Sequence, residues 1–244
     1  MAGALSHIRV LDLTRVLAGP YASYQLALLG ADVIKVEALE GDEMRYGTRS
    51  NDWEKRGLAA PWVAVNAGKR SITMDLKSPK AIEAVMRLVP KVDVVMENFR
   101  PGVMDKLGIG WETLKKVNPR LIYCAVSGFG QDGPLSQRPA YDQIIQGFSG
   151  LMSLTGTPQT APTRAGYLAC DAMGAMTAAF AVCAALVRKQ KTGEGEYIDV
   201  AMLDSTLATM AAWIVSNYLN AGAVPKPMGN ENHTAAPSGT YRCK

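Results

Sequence analysis

The stretch Ile8-Arg-Val-Leu-Asp-Leu-Thr14, the turn Arg15-Val-Leu-Ala-Gly-Pro20 and the run Val33-Ile-Lys-Val-Glu37 decide the fold. The first run alternates as a strand does, then stops at the turn. Pro20 suits the first turn of a helix that reads on to about Leu29, and Gly30 ends it. Val33–Glu37 is the next strand. Strand, helix and strand in about thirty residues place the two strands parallel, joined by a right-handed crossover.

The same rhythm resumes after an irregular segment, Glu40–Gly68. Ser71–Leu76 reads as a strand, Ser78 as the cap of a helix to about Leu88, and Asp93–Asn98 as a strand. A helix over Trp111–Val117 and a strand over Leu121–Ser127 follow. Beyond a short helix at Asp142–Phe148 come a long helix, a turn at Lys191–Gly195, a strand at Glu196–Ala201 and a helix at Leu203–Leu219. Met173, Met176 and Phe180 stand at helical spacing, which predicts core positions. Residues 1–219 read as one large α/β domain, and 220–244, rich in Gly, Pro, Asn and Ala, as a linker or extended arm.

Asp171 is the residue with the most to say about chemistry. It interrupts a run of small and apolar residues, and sixteen uncharged residues follow it, Ala172–Val187. Such an aspartate suits the N-cap of a buried helix, whose positive end would favour its ionised form. A charged carboxylate beside small residues is also what a carboxylate nucleophile needs. The sequence leaves both roles open. Asp142, at the start of its own helix, reads as a cap.

Composition narrows the chemistry. The chain has 48 % hydrophobic and 20 % charged residues, enough for a substantial core in a soluble protein. Only two histidines occur, His7 and His233, which argues against histidine metal sites and a Ser-His-Asp triad. Cys124, Cys170, Cys183 and Cys243 form no CxxC pair and fit reduced thiols in a cytoplasmic protein. Net charge is +4 with lysine and arginine scattered, so no nucleic-acid surface is indicated, though a small polyanion would suit. Ala172–Val187 is short and alanine-rich for a membrane span and reads as a core helix.

Neither GxGxxG nor GxxxxGK[ST] is present. Three Gly- or Pro-bearing loops fall at strand ends: Arg15–Pro20, Asn98–Gly102 and Ser127–Pro134. Ligands of open parallel sheets bind there, and such loops offer backbone N–H groups to a phosphate. They also suit ordinary tight turns. Lys69 and Arg70 precede a strand, as a solvated basic turn or an anion site.

In order along the chain, Val10–Pro20, Leu29–Glu37, Asn66-Ala-Gly-Lys-Arg-Ser-Ile72, Glu97-Asn-Phe-Arg-Pro-Gly102, Asn118–Ile122 with Ser127–Pro134, and Lys191–Gly195 resemble the class III CoA-transferase family (CaiB/BaiF type). The resemblance covers nearly the whole chain. It implies an open Rossmann-like, mostly parallel sheet with flanking helices, and a CoA-binding large domain whose C-terminal return is lacking. Residues 220–244 would then lead toward a small domain beyond Lys244. It implies transfer of CoA from an acyl-CoA to a carboxylic acid through Asp171, by way of mixed anhydrides and an aspartyl-CoA thioester. It assigns CoA contacts to Arg15, Val16, Leu17, Ala18, Asn66, Lys69, Arg70, Asn98, Phe99, Arg100 and Lys106, and places Tyr141, Asp142 and Leu17 beside the nucleophile. CoA is substrate here. No metal or permanent cofactor, nucleic acid or membrane is expected. Intact relatives form interlocked homodimers, and a complementary C-terminal chain is a further expected partner. Racemases of the same fold carry a histidine where this chain has Tyr141, which favours transfer over α-methylacyl-CoA racemisation. A catalytically incomplete CoA-binding subunit is the other alternative. Ala38 stands where relatives often carry an arginine.

Overall fold

The computed structural model describes residues 3–47, 51–231 and 236–243. Six strands form one wholly parallel sheet: β1 (Arg9–Asp12), β2 (Asp32–Glu37), β3 (Arg70–Thr73), β4 (Val94–Glu97), β5 (Ile122–Ser127) and β6 (Glu196–Ala201). Their order is β3-β2-β1-β4-β5-β6. The chain thus works outward from β1 in one direction, then returns to build the other half from β4. The register pairs Val10 with Val33 on one side and with Val94 on the other.

The helices are α1 (Ala18–Leu28), α2 (Asp52–Lys55), α3 (Ala60–Asn66), α4 (Pro79–Leu88), α5 (Val103–Lys106), α6 (Trp111–Val117), α7 (Asp142–Phe148), α8 (Leu151–Leu154), α9 (Ala169–Thr192) and α10 (Met202–Ala221). Short 3-10 turns lie at Glu43–Arg45 and Val89–Lys91. Alternation along each strand sends neighbours to opposite faces. Val10, Val94, Ile122 and Cys124 join the core under α1 and α9. Leu11, Val95, Tyr123 and Ala125 join the one covered by α4, α5 and α6. Burial on both faces explains why β4 and β5 read as near-continuous apolar runs.

Several expectations are corrected. Glu40–Gly68 is not irregular throughout: among the described residues it carries a 3-10 turn, α2 and α3. β3 ends at Thr73, so Met74–Leu76 is loop. The short helices α5 and α8 were not expected. Met176 and Phe180 are not core residues; they are 51 % and 76 % exposed. The buried side of α9, packed on α1, α10 and the sheet, includes Gly174, Ala175, Ala178, Ala179, Val182 and Ala185. Small side chains let the helix approach closely; a Cβ on Gly174 would stand 2.9 Å from Met202 Cγ. The larger residues are left on the outer face. By length and composition α9 could cross a membrane. In this fold it packs on β5, β6, α1, α7 and α10, and Lys189 near its end pairs with Asp93 at 2.8 Å.

Candidate functional site

A parallel sheet places its ligand outside the carboxyl ends of the strands, where the strand order reverses. That point lies between β1 and β4, and the loops leaving these strands are tied together there. Asn98 Oδ1 accepts the Arg15 N–H at 2.7 Å, and Asn98 Nδ2 donates to the Arg15 carbonyl at 2.8 Å. Val16 N–H donates to Asp42 Oδ2 at 3.1 Å, and Lys35 Nζ donates to the Thr14 carbonyl at 2.8 Å. The backbone donors of Arg15 and Val16 are therefore engaged within the protein and are not spare for a phosphate. Asn98 likewise has its amide committed to the neighbouring loop.

Beside this junction a cleft of about 530 Å³ opens at the ends of β1, β2, β3 and β4. Its volume falls within the range of small-molecule sites. Thr14, Arg15, Ala38, Met74, Lys77 and Phe99 line it. Phe99 is oriented from below, its N–H donating to buried Glu97 at 2.8 Å. Met74 and Lys77 are not legible as lining residues in a sequence that reads as strand over Ser71–Leu76 and as a helix cap at Ser78. Their place follows only from where β3 stops. Glu37, at the tip of β2, holds the position that binds a ribose diol in dinucleotide folds. Here it is occupied by Arg45 and Ser71.

Lys69 and Arg70, at the start of β3, do not line this cleft. Lys69 Nζ is enclosed, donating to Asp12 Oδ2 at 3.0 Å and to the Pro20 carbonyl, Ser23 Oγ and Asn66 Oδ1, each at 2.8 Å. An ammonium has three protons, so none remains for a phosphate. Burial raises Asp12, but Lys69, Lys35 and the hydroxyls of Ser23 and Thr14 more than offset this and hold it at about 2. Asn66, also buried, donates to the Trp62 carbonyl at 2.9 Å. Arg70 opens β3 at the opposite, amino edge of the sheet and pairs with Asp32 at 2.6 Å. The physical reading of these three residues is structural.

Arg100 is exposed and borders a smaller cleft of about 210 Å³ with Glu97, Gln131 and Tyr197. Lys106 ends α5 and is exposed. Leu17 is the residue before α1, and Ala18 is buried at that helix's start.

Because α9 leads into the parallel strand β6, its first turn returns to the carboxyl edge. Asp171 is the third residue of that turn. It is not the cap: its side chain makes no capping bond, and Leu168 precedes the helix. The cap comes from α7. Asp142 Oδ2 accepts the N–H groups of Cys170 at 2.7 Å and Asp171 at 3.1 Å. Gln146 donates to Asp142 and to the Tyr167 carbonyl, and accepts the Ala165 N–H at 2.8 Å, pinning the approach to α9. Gly128 lets the β5 loop lie against α7; a Cβ there would stand 2.2 Å from Ala140 Cβ. Tyr141, next to this contact, is 65 % exposed. Burial, and then the Asp142 carboxylate, push Asp171 up to about 7. This reverses the expectation that the helix end would keep it low: removal from water and a like charge outweigh the dipole.

Residues 5–244 match the model of CoA-transferase family III. The succinate–glutarate CoA-transferase of Agrobacterium fabrum is 45 % identical, over 96 % of this chain and 59 % of its own length. The succinyl-CoA–D-citramalate CoA-transferase of Chloroflexus aurantiacus is 39 % identical, over 97 % of this chain and 58 % of its own. A crystal structure of a CaiB/BaiF family protein from Brucella suis superposes with a TM-score of 0.92 at 42 % identity, covering 99 % of this chain and 64 % of that one. The chain thus spans about three-fifths of the length of the curated relatives it matches.

Proposed function

Because the chain belongs to CoA-transferase family III, we propose that it binds an acyl-CoA in the cleft at the β1–β4 junction and uses Asp171 as the nucleophile of CoA transfer. The observation that carries this reading is the placement of Asp171. It stands in the first turn of α9, at the ligand edge of the sheet, with its backbone N–H held by Asp142.

Ionised Asp171 attacks the thioester carbonyl and expels CoA thiolate, leaving a mixed anhydride. The thiolate attacks the aspartyl carbonyl, releasing the donor acid as a carboxylate and forming an aspartyl-CoA thioester. An incoming carboxylate attacks that thioester and expels the thiolate again. Attack of the thiolate on the acceptor carbonyl of the second anhydride yields the new acyl-CoA and frees Asp171. A pKa near 7 leaves a substantial fraction of Asp171 ionised at neutral pH for attack on the thioester, and Asp171 departs as a carboxylate only when the second anhydride is opened.

Phe99 and Met74 offer apolar surface to an adenine, while Arg15, Lys77, Arg100 and Lys106 supply side-chain charge for phosphates. The acceptor we favour is a dicarboxylic acid, the class named for both curated relatives. The test is intact-protein mass spectrometry after incubation with a panel of acyl-CoAs, with Asp171→Ala as control and CoA binding by calorimetry. An adduct of acyl or CoA mass on the wild type alone is expected. An adduct that persists in Asp171→Ala removes Asp171 from the mechanism. A wild type with neither adduct nor CoA binding overturns the reading altogether.

A further inference from the structure

Val16 has a φ of 65°. That conformation is costly for a β-branched residue and persists only where its surroundings impose it. Asp42, from the segment after β2, meets the turn here: its Oδ2 accepts the Val16 N–H at 3.1 Å. Asp42 is itself anchored. Its Oδ1 accepts the Met44 N–H at 3.0 Å, and its own N–H donates to Glu37 Oε1 at 3.2 Å. Lys35 Nζ lies 3.4 Å from Asp42 Oδ2, with both side chains 1 % exposed. The same ammonium donates to the Thr14 carbonyl. One buried ion pair therefore grips the turn on both sides of Arg15, which lines the cleft.

Burying two charges costs desolvation that their attraction only roughly repays, so such a pair is weak support for stability. Its side-chain hydrogen bonds fall on the turn, at the Thr14 carbonyl and the Val16 N–H, and on the Met44 N–H beside Asp42. We propose that Asp42, backed by Lys35, is a positioning residue for CoA: it holds Val16 in the left-handed conformation and so keeps Arg15 on the wall of the cleft. This rests on the CoA reading above.

The test compares CoA binding by titration calorimetry for the wild type, Asp42→Ala, and Asp42→Ala combined with Val16→Gly, with thermal unfolding measured alongside. Asp42→Ala is expected to weaken CoA binding about tenfold or more. Glycine adopts positive φ without strain, so the second substitution is expected to recover about threefold or more of the affinity. The Tm is expected to stay low, because Lys35 still lacks its partner. Recovery of affinity without recovery of Tm separates positioning from general support. A folded Asp42→Ala that binds CoA as the wild type does overturns the proposal, and so does a double variant with no recovery. Should Asp42→Ala not fold, the same pair in a Lys35→Met background, which removes the orphaned buried charge, makes the comparison. Should the wild type bind no CoA, the functional reading fails, and hydrogen exchange at the Val16 amide decides this one. Faster exchange in the Asp42 variant, with the Leu13 amide on the Met96 carbonyl unchanged, supports the grip; unchanged protection at Val16 refutes it.

Discussion

Replacing Asp171 with asparagine should stabilise the folded chain at pH 8 and change it little at pH 4. Burial and the Asp142 carboxylate lift Asp171 from 3.8 to about 7. A group with a higher pKa folded than unfolded holds its proton more tightly in the native state. Its contribution to stability is intact below the unfolded pKa and lost as pH rises through the folded one, so the window runs from about pH 4 to about pH 7. The full displacement corresponds to about 4 kcal/mol against the ionised folded state. Asp171 is only partly buried, so solvent screening brings the expected effect to about 2 kcal/mol. For a chain of this size that is a Tm higher by about 4–8 °C at pH 8. Asparagine keeps the shape and cannot ionise, so the gain should grow between pH 4 and pH 8. The assay is thermal and urea unfolding of both proteins at pH 4, 6 and 8. A variant no more stable than the wild type at pH 8, or a gain equal at all three values, refutes the reasoning. The same titration predicts that any transfer carried by Asp171 strengthens as pH rises through about 7.

Lys69→Met leaves Asp12 as an unpaired buried charge and should cost about 3–5 kcal/mol in urea unfolding; lost CoA affinity with unchanged stability would return Lys69 to the binding site. Phe180→Ser should stay within about 0.5 kcal/mol of wild type, since the ring lies on the outer face of α9, whereas a loss of about 3 kcal/mol or more would mean that the ring is buried. Gly195→Ala places a Cβ 2.2 Å from the Leu121 carbonyl oxygen, at the entry to β6. It should lower stability by about 1–3 kcal/mol, and a Tm equal to wild type would contradict that close approach.

Ile8–Glu37 determined by itself that the sheet is parallel, because alternation, a proline-led helix and a closing glycine are local signals that short-range sterics enforce. The regular elements from Trp111 to Ala201, the one-turn α8 apart, were legible for the same reason. Asp171 stood out because a lone carboxylate in an apolar run is visible without any partner. What the partners do was not legible. Asp142 caps the helix of Asp171 from 29 positions away, Lys69 reaches Asp12 across 57, and Asn98 locks Arg15 across 83. Sequence spacing says nothing about such pairs, since they exist only once the strands have stacked and brought distant loops to one edge. Phe180 shows the same limit in the core: on a helix that is apolar all round, only packing decides which face meets the sheet, and close approach selected the small side chains. The sequence thus determined most of the elements and the parallel sense of the sheet, and singled out Asp171 as the carboxylate to test. Tertiary structure alone decided which charges are spent inside the protein, which remain for a ligand, and at what pH Asp171 is ionised, because burial and through-space charge depend on neighbours that the chain order does not reveal.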